Sequence, residues 1–490
     1  MGASFRKGVF FGAILAVILQ GIIPIVSNSS WKPSCYLEYT KESKGHEDIA
    51  INATTTTTID ATTNATTGIS VNSSYTFPKE KRSKLMICGH HSVNPINILT
   101  KEFKLNEVPW TAPEWDVVYG GYMHCQPRLP NGNPSYNLDG GLNKRLNDEG
   151  WANLKPHQMW FPCMGCHWSY CDKVQLCRLI QQYAPNECFL LPKDKDRLEK
   201  LMDNNKVWVL KRSAPSLFLH LGTGVQYVKN LAGVQDQISD GTYMVQPYHP
   251  PLTTWKNRKF ELKVYLAVTS VYPLRLYAHK LMPVILAPVP FVGINSSDKC
   301  QHITNVNQNE GCRPDMNMED RVMLFSEYAQ HAGLDEAALT RKVQEMLAFV
   351  IEAAQPDIQS HYINQGIHTS GAGCWSFMRA DLGISADGHP VLYEINETPS
   401  VDGGGKFQQW KNQMHREIFA MIGLDAPPMP ANERAAYERS HMAGWIPISK
   451  AAQSQKVAQD WVINYKPISE HCVTGSSAEF YSSLSSIYCY

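Results

Sequence analysis

Asp381 and the tripeptide Glu394-Ile395-Asn396 are the residues whose types and spacing point most directly to chemistry. Glu394 and Asn396 stand two apart, so a strand through them presents both on one face. A neighbouring strand carrying Asp381 would bring another oxygen donor to the same point. Two carboxylates and a carboxamide are hard ligands that suit Mg2+, which keeps water and phosphate in its remaining positions. A nucleoside triphosphate would also need positive charge. Lys211 closes the apolar run KVWVLK, Lys263 lies inside FELKVYLAVT, and Arg258 and Lys259 stand just before that run. A lysine can aim a compact charge at a phosphate oxygen. Between the two runs, Gly222-Thr223-Gly224 can form a loop over phosphates, although Gly-x-Gly alone is a common pattern.

Each of these residues also has a plainer reading. Glu394 can be a surface acid at a strand end, Asp381 or Asn396 a turn cap, and Lys211 a solvated strand terminus. Lys263 can sit on the wet face of an alternating strand, and His302 reads as structural rather than catalytic. The tryptophans at 110, 115, 151, 160 and 168 fit packing anchors better than ligands.

The elements that would hold these side chains are legible from periodicity. Strands are expected over Lys206–Lys211, Tyr243–Gln246, Phe260–Thr269 and Pro390–Asn396, the last after the turn-forming Asp387-Gly388. Helices are expected over Asp335–Ala354 and Lys406–Ile422, the second following the glycine run Gly403–Gly405. The fold class is therefore α/β. The chain has 490 residues, 43% hydrophobic and 18% charged, which is ample for a sizeable core and excludes a wholly disordered chain. Lys plus Arg and Asp plus Glu are 45 each, so the net charge is zero and argues against a nucleic-acid partner.

The N-terminus adds an expectation about compartment. Arg6 and Lys7 precede the uncharged run Val9 to Val26, which as a helix would span about 27 Å, close to a bilayer core. A type II signal anchor is the first reading and a cleaved signal peptide the second. Either puts the body in the secretory lumen or outside the cell. Acceptor sequons at Asn28, Asn52, Asn64, Asn72, Asn295 and Asn396 agree, as do 13 cysteines, all after the apolar run. Asn396 itself is an improbable glycan site, since a glycan there would displace the metal. Cys163, Cys166, Cys171, Cys177 and Cys188 suit disulfides better than zinc, and Cys472 and Cys489 could pin the tail. The expected segments are 1–27 anchor or signal, 28–83 threonine-rich glycosylated stalk, 84–200 cysteine-rich N-terminal domain, 201–425 catalytic domain and 426–490 C-terminal extension.

From about 206 to 420 the chain resembles the tubulin-tyrosine ligase-like family, whose members have the ATP-grasp fold. VWVLK is similar to the family strand that ends in an ATP-contacting lysine, here Lys211. The loop with Gly222 and Gly224 resembles the glycine loop over the triphosphate. VQPY, with Gln246 and Tyr248, resembles the hinge strand beside adenine. RKFELKVY resembles the R-K-F-D-L-R-x-Y block, and HITN ends in Asn305, near nucleotide and metal. FMRADLGISADGHPVLYEINETPS resembles the stretch that supplies the metal-binding Asp, Glu and Asn, here Asp381, Glu394 and Asn396. The blocks stand in the family's order.

The resemblance implies an ATP-grasp-like core that uses ATP and Mg2+ to join a carboxylate and an amine, with Lys263, Arg258 and Glu394 at the reacting groups. An amino acid or other amine would be joined to a protein or peptide acceptor. There are departures. The family aspartate is Glu261, the following arginine is Lys263, Arg212 and Thr223 replace a proline and a basic residue, and a later glycine–arginine pair is absent from KLMPVILAP. Charge survives the Lys263 change, but a bidentate fork does not. A lumenal body implies an acceptor other than tubulin. The alternatives are a catalytically degenerate scaffold or binding protein on the same fold, and a cytosolic tubulin-modifying ligase.

Overall fold

The computed structural model describes residues 75–87, 93–109, 111–120, 153–163, 167–202, 205–213, 225–232, 242–253, 255–296, 298–304, 319–364, 372–397 and 405–453, with 312, 317, 367 and 399. The 9–26 run, the threonine-rich stretch, Gly222, Gly224, Asn305, Cys166, Cys472 and Cys489 lie outside these residues.

The first strands are short, and apolar except at Lys84 and in the edge strand Asn106–Val108. β1 (Lys84–Ile87), β2 (Asn106–Val108), β3 (Val117–Tyr119) and β4 (Met159–Phe161) pair in parallel in the order β4-β3-β1-β2. Runs such as VVY and MWF are buried at every residue, as a parallel sheet covered on both faces demands. Helix α1 (Lys173–Tyr183) follows, its first turn capped by Asp172, which accepts from Val174 N at 2.9 Å and Gln175 N at 3.1 Å. A second, antiparallel sheet is built from β5 (Phe189–Leu191), β6 (Trp208–Ser213), β7 (Val225–Val228) and β8 (Thr242–Pro247), in the order β5-β8-β6-β7.

The third sheet is organised by β9 (Phe260–Val271), the longest strand described. One edge of β9 pairs with β10 (Leu274–His279) and β11 (Pro283–Leu286), and β11 pairs with β12 (Val322–Leu324). β13 (Gly373–Cys374) joins β4 of the first sheet. The other edge of β9 takes β14 (Ser376–Ile384), which pairs with β15 (Pro390–Asn396); β16 (Trp445–Pro447) adds to β10.

Alternation along β9 divides it cleanly. Phe260, Leu262, Val264, Leu266 and Val268 enter the largest core cluster, while Tyr265 and Ala267 enter another on the opposite side. Glu261 and Lys263 continue that second side beyond the point where apolar residues cover it. Helix α2 (Glu336–Ala353) closes the first side with Leu339, Val343, Met346, Leu347, Val350 and Ile351, a single stripe at helical spacing. Asp335 caps it by accepting from Ala338 N at 2.9 Å. Helix α3 (Gly405–Met421) packs Met414, Ile418 and Phe419 on the second side. Helix α4 (Ala431–Ser440) is tied to the sheet by the buried Glu438 carboxylate, which accepts from Arg275 Nε (2.8 Å) and Nη2 (2.9 Å), Thr269 Oγ1 (2.8 Å) and Tyr277 Oη (3.1 Å).

The expected strand over Pro390–Asn396 has those bounds, and the expected helices over 335–354 and 406–422 match α2 and α3 to within a residue. The expected segment boundaries near 200 and 425 are crossed by strand pairing: β5 joins β8, β13 joins β4, and β16 joins β10.

Two expectations are corrected. Cysteines are not gathered in an N-terminal region: Cys163 bonds to Cys374, Cys177 to Cys188 and Cys300 to Cys312, so half-cystines span most of the described chain. The long-range bond exists because β13 lies beside β4, which brings the two ends of a 211-residue separation together. The expected membrane attachment is also set aside. No helix among the described residues is long and apolar enough to cross a membrane, and the 9–26 run lies outside them. The single-pass anchor, the membrane partner and the lumenal location inferred from it therefore drop out of the account.

Closing a loop as long as that between Cys163 and Cys374 removes much entropy from the unfolded chain, about 5 kcal/mol in the chain-entropy model. A Cys163→Ala/Cys374→Ala variant should lose about 3–5 kcal/mol of unfolding free energy in a denaturant titration. An unchanged midpoint would show that the bond does not constrain the chain.

Candidate ATP and divalent-cation site

Three adjacent strands carry the site in register. Lys263 of β9 stands opposite Asp381 of β14, and Asp381 opposite Glu394 of β15. The next row sets Tyr265, Arg379 and Asn396 side by side. Because side chains alternate, both rows lie on the face away from Leu262, Ala380 and Leu382, which are in the core.

A β-bulge makes this possible on β15. The register steps from Asp381↔Glu394 to Leu382↔Leu392, leaving Tyr393 as the extra residue. Simple alternation would put Leu392 and Glu394 on one face. The bulge instead lets Leu392 enter the core while Glu394 faces Asp381. It also frees the Tyr393 carbonyl, which accepts from Lys211 Nζ at 3.1 Å. The Leu392 carbonyl accepts from Gln246 Nε2 at 3.0 Å, and Lys211 Nζ donates to Gln246 Oε1 at 2.9 Å. Lys211 on β6 and Gln246 on β8 thus join the second sheet to β15. A Cβ at Gly383 would overlap the Tyr393 hydroxyl, so any larger residue there would make that ring shift.

The Asp381 carboxylate is saturated with donors. Arg379 Nε reaches Oδ1 at 2.6 Å and Nη2 reaches Oδ2 at 2.8 Å. Lys263 Nζ lies 3.1 Å from Oδ2, and Asn396 Nδ2 lies 3.4 Å from it. Asn396 Nδ2 also lies 3.2 Å from Glu394 Oε1. Lys263 further bonds Glu261, whose other oxygen accepts from Thr304 Oγ1. Burial pushes the Asp381 carboxyl up, but Arg379 and Lys263 outweigh it and hold the group below the usual carboxylate range. Glu394 shifts the other way: burial and the Asp381 charge beside it raise its pKa. The pair therefore retains a repulsion that a bound divalent cation would relieve.

Positive charge gathers at Tyr393, the residue before Glu394. Burial lowers the Lys211 ammonium to about 8, with Glu394 opposing and Lys259 adding to the effect. Lys259 is lowered to about 8 for the same main reason. Its Nζ lies over the rings of Tyr248 (5.2 Å) and Tyr393 (5.3 Å) and donates to the His302 carbonyl at 2.9 Å. Desolvated ammoniums close to a carboxylate pair are of the charge type that suits a polyphosphate with a divalent cation. The oxygen donors Asp381, Glu394 and Asn396 fit Mg2+, provided the Asn396 amide presents its oxygen rather than its nitrogen. Among the described residues no group of three or more His, Cys, Asp or Glu side chains forms a metal cage.

The structure thus brings Lys211, Gln246, Lys263, Asp381, Glu394 and Asn396 together. Tyr248 is nearby; its hydroxyl pairs with His302 Nδ1 at 2.7 Å, while His302 Nε2 faces the Ser296 carbonyl at 3.0 Å. His302 is thereby a buried structural residue. Arg258 donates from Nη1 to the Ala287 carbonyl at 2.9 Å rather than to the carboxylate row. Gly222, Gly224 and Asn305 lie outside the described residues. Sequence reasoning passed over Arg379 and Tyr393. Arg379 was findable, since it stands two residues from Asp381 and shares its face. Tyr393 depends on the bulge, which no local pattern marks.

This is an α/β fold with a sheet-held carboxylate pair and buried lysines. Residues 158–431, more than half of the chain, match the family model described as the tubulin-tyrosine ligase family, and the chain belongs to that family. It is similar to the tubulin polyglutamylase ttll-4 of Caenorhabditis elegans, 24% identical over 253 residues, which cover 49% of this chain and 40% of the relative. It is also similar to the tubulin monoglutamylase TTLL4 of Mus musculus, 23% identical over 261 residues, covering 50% of this chain and 21% of the relative. A third relative, tubulin polyglutamylase ttll-11 of Caenorhabditis elegans, is 24% identical over 194 residues, 37% of this chain and 27% of its own length. The chain thus spans well under half the length of these curated relatives.

The two low lysines give a pH signature. Bound polyphosphate favours the protonated forms of Lys211 and Lys259, so the complex holds more protons than the free protein above pH 8. ATP affinity should fall as pH rises from 8 towards 10, with proton uptake on binding. Calorimetry in buffers of different ionisation enthalpy measures that uptake; none at pH 8.5 would place the nucleotide phosphates elsewhere.

Proposed function

We propose that this chain is an ATP-dependent ligase that joins an amino acid to a carboxylate of a protein acceptor, with glutamate as the amino acid and a tubulin-type acidic segment as the acceptor. The observation that carries the reaction class is the row Lys263–Asp381–Glu394 with Lys211 and Lys259 both against Tyr393, the residue before Glu394. Family membership supports ATP-dependent ligation. The choice of glutamate and tubulin rests on relatives named as tubulin polyglutamylases and a tubulin monoglutamylase. Those relatives favour the tubulin-directed alternative over an unspecified lumenal acceptor.

Mg–ATP held there would supply a phosphoryl group to a carboxylate with release of ADP, and an amine displacing phosphate from the resulting acyl phosphate would give the amide. The chain's own residues position and neutralise. Asp381, Glu394 and Asn396 would hold Mg2+. Lys211 and Lys259 would face the phosphate oxygens, each preset by a carbonyl it already contacts. Lys263, fixed between Glu261 and Asp381, would place one positive charge near the transferred group. No side-chain nucleophile is needed; the rate comes from alignment and electrostatic stabilisation.

Glu394→Gln tests the assignment. It keeps shape and removes a charge whose ionisation burial and Asp381 already disfavour, so the thermal midpoint should hold or rise. Mg2+-dependent ATP turnover should fall by about 10²-fold or more. Unchanged ATP consumption in a folded variant would refute the metal role.

A further inference from the structure

Asp381 has two oxygens and four donors: Arg379 twice, Lys263 and Asn396. A divalent cation needs one of those lone pairs, so a donor must give way. Asn396 can turn its amide in place. Lys263 is held from two sides, by Glu261 and Asp381, and its side chain is 7% exposed. Arg379 directs Nε and Nη2 at Asp381, and its side chain is 19% exposed, the more open of the two cations on that carboxylate. It is therefore the group with room to leave. A guanidinium released there stays tethered two residues from Asp381 and seeks another planar anion. A carboxylate is the closest match to the one it has left.

We propose that Arg379 is the substrate-carboxylate residue of this site, parked on Asp381 until a divalent cation takes that carboxylate, and then passed to the carboxylate that is to be activated. The inference rests on the ligase reading above and adds the recognition of its carboxylate substrate. The fork of Arg379 now clamps Asp381 with Nε and Nη2, the geometry it would use on the incoming group. Lys263 cannot supply that fork. Cation and carboxylate binding are then linked: the cation frees Arg379 for the carboxylate, and the carboxylate removes a competitor of the cation. Linkage makes the two effects equal in size.

The test uses Mn2+ as the cation and N-acetyl-glutamate amide as a carboxylate probe that chelates weakly, with the full chain and calorimetric titration. In the wild type the probe should tighten Mn2+ binding by about tenfold, the worth of one charge-assisted pair. In Arg379→Ala, Mn2+ alone should bind about tenfold tighter than in the wild type, and the probe should no longer change it. Arg379→Lys, which keeps the charge and the fold's ion pair, should retain only part of the coupling. If Arg379→Ala does not fold, as read by its thermal transition, the lysine variant decides alone: full wild-type coupling there overturns the proposal. So does weaker or unchanged Mn2+ binding in a folded Arg379→Ala protein. Wild-type Mn2+ binding that survives Glu394→Gln would locate the cation elsewhere and sink the ligase site itself; Mn2+ binding lost in Glu394→Gln but indifferent to Arg379 sinks only this inference. A wild type that binds no Mn2+ overturns both.

Discussion

Two acids side by side in a sheet are the constraint around which this molecule is arranged. Asp381 and Glu394 are directly opposed on β14 and β15, at a spacing where like charges repel. Burying even one unpaired carboxylate costs several kcal/mol. The fold answers Asp381 with Arg379 and Lys263 and leaves Glu394 with a raised pKa. Stability alone gives no reason to keep such a pair. A cation-dependent site of the kind proposed would, because the residual repulsion would become affinity when an ion bound.

The apolar side of the same strands holds that arrangement in place. Leu262, Ala380 and Leu382 fill the core from which α2 is built outward. A slip of one residue in β14 would drive Asp381 into that core and expose its neighbours, so burial fixes register strongly. The bulge at Tyr393 is the one departure, and it has three consequences at once. It turns Glu394 towards Asp381, sends Leu392 to the core, and frees a carbonyl for Lys211. The second sheet is thereby attached to the third at the site itself.

The first sheet also bears on the site, through the beginning of β14. Cys374 is bonded to Cys163, the Trp375 amide donates to the Trp160 carbonyl at 3.0 Å, and the Cys163 amide donates to Ser376 Oγ at 2.9 Å. The strand that carries Arg379 and Asp381 is thus fixed at its start by residues more than two hundred positions earlier.

Much of the candidate site's placement on strands was legible in the sequence because strand geometry is local. Pro390–Asn396 reads as a strand, and a strand dictates that Glu394 and Asn396 share a face. Lys211 and Lys263 were legible as cations on apolar strands, and the order of blocks from 206 to 420 pointed to the family that the comparison shows. The membrane anchor and the N-terminal cysteine domain were read from composition, which says what a segment resembles and not what it pairs with. Three things were decided only by tertiary structure: the register that opposes Lys263, Asp381 and Glu394, the bulge at Tyr393, and the occupation of Asp381 by Arg379. Residue types and periodicity set which face a side chain takes. Which strands become neighbours, and at what offset, depends on burying the apolar faces of the whole chain together, and that information is spread across residues hundreds of positions apart.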